Sequence, residues 1–290
     1  MALWSARAFQ MPAQQALTPL LVPQKLLQRA IALSSRGMQA AIICGPALGG
    51  VFYVSGPALA YVSCAALLLV AGALAMAVRY PHKPSMQAAT WPIVLAGLEF
   101  VWRRKVLLRA TSLNLFAVLL GGATALLPIY ARDILHSGPI GLGFLRSAPA
   151  VGALVMSVVL MRWPLHRHVG HRLVAAVAVF GAATPVFGLS TSFSVSILAL
   201  AIAGAADTIS VVTRLTLMQL ETPDELRGRV SAVNSIFIGA SNQLGKFESG
   251  ATSTLLGPLG SAVLGGVGTV LIAASWLRLF PALGKRDHMS

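Results

Sequence analysis

Charge is scarce in this chain, and negative charge is scarcest. Of 290 residues only 8 are Asp or Glu against 22 Lys or Arg, and all charged side chains together make up 10%. Apolar residues supply 56% and the mean hydropathy is +0.77. A soluble domain of this length needs a much larger charged surface, so that class is excluded. Cysteine is nearly missing as well. Cys44 and Cys64 are the only two, and both sit in apolar stretches. This excludes a disulfide framework and leaves them as small apolar residues packing between helices. The histidines (His82, His136, His166, His168, His171 and His288) fall in loops or the tail. With no nucleophile or metal partner in an apolar run, they imply neither an enzyme nor a metal or cofactor site. Residues 1–20 have no basic segment followed by an apolar core, so no cleaved signal peptide is expected.

What the chain does have is long apolar runs separated by short polar loops, which predicts an all-α, polytopic helical membrane protein. The runs place spans at 30–54, 57–78, 108–130, 140–161, 173–189, 194–217, 230–256 and 259–278. Each is close to the ~20 residues that cross the hydrocarbon core. The connections at Ser55–Gly56 and Gly257–Pro258 are short enough to force antiparallel pairs, so neighbouring spans alternate in direction. On that alternation, 18 of the 22 Lys and Arg fall on one side. Arg132 stands alone on the other, and Arg36, Arg146 and Lys246 lie within spans. The asymmetry predicts a plasma (inner) membrane location with both termini cytoplasmic. It makes the lipid bilayer, not nucleic acid, the partner behind the net charge of +14.

One internal repeat organises the whole. Pro23-Gln24-Lys25-Leu26-Leu27-Gln28-Arg29-Ala30 reads like Pro223-Asp224-Glu225-Leu226-Arg227-Gly228-Arg229-Val230, Gly45 falls on Gly245, and Gly56-Pro57 falls one residue out of step on Gly257-Pro258. A repeat spaced by about 200 residues in a membrane chain points to transporter architecture. It divides the chain into 1–78, the last two helices of a first half; 79–107, a cytoplasmic linker; and 108–290, a six-helix second half with its tail. Within the linker, residues 91–108 combine Val94, Leu95, Leu98, Val101 and Trp102 with Arg103-Arg104-Lys105. They are expected to form an interfacial amphipathic helix on an anionic leaflet. Projecting the repeat backwards, a first half of equal size would need on the order of 100 further residues and four more spans.

The motif Gly45-Pro46-Ala47-Leu48-Gly49-Gly50, the run Leu115-Phe116-Ala117-Val118-Leu119-Leu120-Gly121-Gly122 and the segment Ser241-Asn242-Gln243-Leu244-Gly245-Lys246 carry a family resemblance. So do Arg7-Ala8-Phe9-Gln10-Met11-Pro12, Phe100-Val101-Trp102-Arg103-Arg104 and Ala131-Arg132-Asp133-Ile134-Leu135. Together they resemble the major facilitator superfamily, in its enterobactin-exporter-like branch of transmembrane secretion effectors. The resemblance implies a major facilitator fold with about eight of its twelve helices present. It implies export of a small organic molecule by alternating access, with protons as the coupling ion. The loop Arg167-His168-Val169-Gly170-His171-Arg172 is similar to a weakened cytoplasmic gating motif of that family, with Arg167 and Arg172 as its bases. Its other reading is an ordinary basic inner loop. Asn114 and Lys246 stand where the family pattern often has a carboxylate, which counts against proton coupling there.

Ionisable groups inside spans are functional candidates because lipid makes them costly. Asp207 is the candidate coupling carboxylate, with a structural hydrogen bond as the alternative. Arg214, seven residues on along the same helical face, is expected to snorkel towards the cytoplasmic interface. Asn234, Ser241 and Glu248, with Asn242 beside them, form a polar stripe that must avoid lipid. Glu248 and Arg146 are a candidate outer gate pair, the alternative being a Glu248 packed as a neutral acid. Lys246 and Arg229 complete the gating candidates, and Asn114 the substrate candidates. Two functions stay open at this point: a secondary transporter, or a non-transporting remnant of one.

Overall fold

A computed structural model describes residues 24–77, 98–121, 123–163, 169–223 and 226–279. Among these the architecture is helical throughout. Helix α1 runs Gln24–Val54 and α2 Pro57–Ala77, with Gly56 (φ +132°) between them. A short helical segment over 98–103 leads into α3, Lys105–Leu120. Then come α4, Gly138–Arg162; α5, Val169–Leu189; α6, Phe193–Glu221; and α7, Arg227–Leu279. Five helical stretches are long and apolar enough to cross a membrane, and the apolar lengths 40–54 and 111–120 are shorter.

The longest of those stretches spans 44 residues. Straight, it would extend roughly 66 Å, about twice the hydrocarbon thickness. It does not run straight, because α7 breaks at Gly257 (φ +74°, ψ 167°) ahead of Pro258. A left-handed glycine ends the first arm, and proline's fixed φ starts the second. Gly56 and Pro57 do the same between α1 and α2. The repeat in the sequence is therefore also a repeat of backbone geometry. Hydroxyls pin the α7 arms together: Thr252 Oγ1 lies 2.7 Å from Ser261 Oγ, which donates to the Ser249 carbonyl at 3.1 Å.

Three expectations need correcting. The span 108–130 is not one helix. It stops at Gly121, and a 3₁₀ turn (Ala123–Ala125), a short helix (Leu127–Ile129) and a π turn (Tyr130–Ile134) follow. Gly121 and Pro128 account for the break, since neither favours a helix interior. The interfacial helix expected over 91–108 ends by 103, where Arg104 turns to extended backbone (φ −87°, ψ 92°). Its described part is not laid only on lipid. Val101 is buried in a cluster with Leu107, Met218, Val230 and Val233, while Trp102 stays exposed. The cysteines do not pack between helices; Cys44 and Cys64 are both exposed and free.

Helices α3 to α7 pack into one bundle, with α4 on α6, α5 on α6 and both α5 and α3 on α7. Close approach is bought with small residues. Gly152 lies against the Ala201 backbone, and Gly204 against Pro149. The bundle's core has three layers, around Leu145, Phe187 and Leu200 at one end, Leu113, Leu173 and Val177 in the middle, and Leu107 and Val230 at the other end. In the first layer Tyr130 donates to the Gly188 carbonyl at 2.7 Å and its ring lies 4.5 Å from Phe187. Tyr130→Phe would leave that carbonyl unpaired in a buried place. It is expected to cost about 1–3 kcal/mol, read as a lower thermal midpoint of the purified protein.

The first hairpin attaches through α1. Ser147 Oγ donates to the Ile43 carbonyl at 2.6 Å, Gly143 faces Pro46 and Ala47, and Gly50 faces Pro139 and Ile140. These contacts join the end of α1 to the start of α4. By helix direction this is the end of the bundle opposite the basic loop after Arg162. Helix α2, by contrast, buries none of its residues.

Candidate functional site

Asp207 sits half-buried on α6, three residues past Gly204. The Gly204–Pro149 crossing brings α4 close enough for Pro149, Gly204 and Asp207 to line a single cavity of about 170 Å³. Thr184 and Phe180 of α5 and Asn242 and Lys246 of α7 close it from the other sides. Apolar walls with a few convergent polar groups are the usual build of a small-molecule site. Asp207 also borders a void of about 10 Å³ shared with Asn114 and Ser210, close to the space of a single water. Four residues singled out from sequence thus meet here: Asp207, Asn114, Asn242 and Lys246. A carboxyl and an amine enter one largely apolar cavity from different helices, together with hydroxyl and amide groups.

The other candidates lie elsewhere. Asn234 and Ser241 are buried on α7; Ser241 Oγ donates to the Phe237 carbonyl at 2.6 Å, and Asn234 Oδ1 has no partner among the described residues. Asn242 is exposed on the protein and donates from Nδ2 to the Ile238 carbonyl at 3.0 Å. Glu248 is not paired with Arg146. Its Oε2 accepts from Ser249 Oγ at 3.4 Å, while Arg146 lines a separate cavity between α1 and α4. The outer gate pair is thereby corrected: the fold does not bring the two side chains into an ion pair. Arg214 does not snorkel. It is 1% exposed and its Nε has no hydrogen-bond partner among the described residues. Packing of α6 within the bundle buries it where free rotation towards the interface was expected. Arg172 is exposed at the start of α5. Arg167 lies outside the described residues, and Arg229 is in the first turn of α7 with no described side chain.

Sequence reasoning missed Thr184 and Ser147. Thr184 was signalled by standing alone as a hydroxyl in an apolar span; Ser147 carried no signal, since its partner Ile43 lies 104 residues away. Also missed were buried hydroxyls without partners among the described residues, Ser210 and Thr213 on the helix of Arg214 and Thr111 on α3.

A polytopic bundle with broken, glycine-crossed helices around a polar-studded internal cavity defines the class of membrane transport proteins, not of catalysts. A family model described as Major Facilitator Superfamily matches residues 4–245. The chain belongs to that superfamily. It is 24% identical over 284 residues to the uncharacterized transporter YjbB of Bacillus subtilis, covering 95% of this chain and 67% of that protein. It is also 24% identical over 274 residues to the enterobactin exporter EntS of Citrobacter koseri, covering 93% and 65%, and to that of Salmonella typhi with the same coverage. The chain therefore spans about two thirds of the length of these relatives.

Proposed function

We propose that the chain is the greater part of a secondary transporter that exports a small organic molecule, drug- or siderophore-like, by alternating access coupled to protons. The observation that carries this is the cavity where Asp207, Asn242 and Lys246 converge beside Asn114. A membrane-embedded carboxylate beside an internal opening is an arrangement that suits a proton-linked carrier. In this reading the arms of α7 count as two crossings and α1 and α3 as one each, which with α2, α4, α5 and α6 makes eight, and both termini are cytoplasmic. Residues 108–290 belong to the second half, 79–107 to the linker and 1–78 to the end of the first half. The α1–α4 seam holds the outer end shut, and it opens when the halves rock apart. The relatives' export of enterobactin supports the direction and the substrate size.

A second reading, a non-transporting bundle, is favoured by α2, which buries none of its residues. The two separate in one assay. Everted vesicles carrying the chain are expected to accumulate a hydrophobic dye or a catecholate when acidified inside, and to release it on addition of a protonophore. Uptake no greater than in vesicles lacking the chain would leave the second reading standing.

A further inference from the structure

A second cavity, of about 810 Å³, opens between the end of α1 and the start of α4 and shares nothing with the Asp207 cavity. Its polar lining is basic: Arg132, His136 and Arg146, with no carboxylate among the lining residues. Tyr53, Pro46 and Leu142 contribute apolar surface. The charge pattern of the chain makes this convergence informative. Arg132 is the single basic residue on the side opposite the basic loops, and Arg146 is one of few inside a span. The fold brings these two outliers to one opening.

Arg146 is the costlier of the two. It stands eight residues into α4, roughly 12 Å along the axis, in a helix apolar enough to cross a membrane. No described carboxylate lies within ion-pair reach of it, whereas Arg132 Nε sits 3.6 Å from Asp133 Oδ1. Arg146 is exposed to this opening, as a guanidinium inside a span without a counter-charge must be, and its donors are left open to an anion. The start of α4, a 25-residue helix whose first residues also line the cavity, adds the partial positive charge of a helix N-terminus. The left-handed turn at His136 (φ +46°) and Gly138 (φ +64°) places ring and helix start at the same rim.

We propose that this cavity binds an amphipathic anion. Its acidic group (carboxylate, phosphate or sulfonate) is held by the guanidiniums of Arg146 and Arg132, and its apolar body lies along Tyr53, Pro46 and Leu142. Guanidinium forks suit such oxyanions because they offer paired donors. A volume of this size takes a drug-sized ligand or a lipid headgroup with the first part of its chain. The proposal needs no transport activity and stands apart from the function proposed above.

The test uses the whole chain in phosphatidylcholine nanodiscs, with anilinonaphthalene sulfonate as the probe and empty discs subtracted. N-phenylnaphthylamine, which has the apolar body without the sulfonate, is the control. Saturable sulfonate binding is expected, weakened about tenfold or more by Arg146→Gln and further by adding Arg132→Gln. Arg146→Lys should retain most of it, and the neutral control should not respond to any of the three. Competition by phosphatidylglycerol added to the discs identifies a lipid headgroup as the occupant; its absence identifies a soluble anion. Sulfonate affinity unchanged in the Arg132→Gln/Arg146→Gln protein, equal loss of the neutral probe, or no binding beyond empty discs would each overturn the proposal.

Discussion

Gly152→Val is expected to prevent α4 and α6 from packing, and Gly152→Ala to destabilise the bundle measurably. A Cβ built on Gly152 would lie 2.6 Å from the carbonyl carbon and 2.9 Å from the Cα of Ala201. Every obstructing atom is backbone, so no rotamer change relieves the clash and the helices must separate. The reciprocal position behaves alike: a Cβ on Gly204 would lie 2.6 Å from both the Cα and the carbonyl carbon of Pro149. Without an aqueous driving force between helices, such close van der Waals contact is a main source of association. Overpacking commonly costs 1–3 kcal/mol and sometimes more. With backbone on the far side, Gly152→Ala should lose about 3 kcal/mol, outweighing the ~1 kcal/mol that alanine gains over glycine in a helix. Gly239→Ala is the control, because nothing lies within 4 Å of a Cβ there. Thermal midpoints in detergent should fall for Gly152→Ala and Gly204→Ala and hold or rise for Gly239→Ala. A Gly152→Ala midpoint at or above the parent's would show that the crossing is looser than described.

That crossing also explains what could and could not be read from the sequence. Apolar runs announce helices because lipid demands that each backbone donor and acceptor be satisfied within its own segment. Gly56-Pro57 and Gly257-Pro258 announced turns because that dipeptide has a local conformational cause, and both glycines do take positive φ. The break after Gly121 had the same kind of cause, Gly121-Gly122 followed by Pro128, but the surrounding hydropathy hid it. What depends on neighbours from distant helices was not legible. Arg214 looked free to snorkel on its own helix, yet the bundle buries it. Glu248 and Arg146 matched in depth, but depth along an axis carries no information about azimuth, and they form no ion pair. Asp207 was legible as costly. Its company was not, since Asn114, Asn242 and Lys246 reach it from α3 and α7 through packing alone.

Asp207→Asn is expected to abolish proton-driven transport, a loss of about 100-fold or more in initial rate, while sparing the fold. The replacement keeps size and most hydrogen-bonding capacity and removes the titratable group. Asp207 makes no ion pair among the described residues whose loss would unfold the bundle, and it is half-buried beside an open cavity. Two alternatives are excluded by design. If Asp207 merely shapes the cavity, Asp207→Asn should leave transport near the parent level and Asp207→Glu should impair it through the extra methylene. If it is the coupling group, the order reverses: Asp207→Glu keeps gradient dependence and Asp207→Asn loses it. Equilibrium exchange of labelled substrate across vesicles without a gradient gives the discriminating readout. A carrier that has lost only its proton site still exchanges substrate, because that half of the cycle moves no net charge or proton. Loss of driven uptake with exchange retained would place coupling at Asp207. Loss of both would assign the residue to substrate binding, and retention of both would remove it from the mechanism.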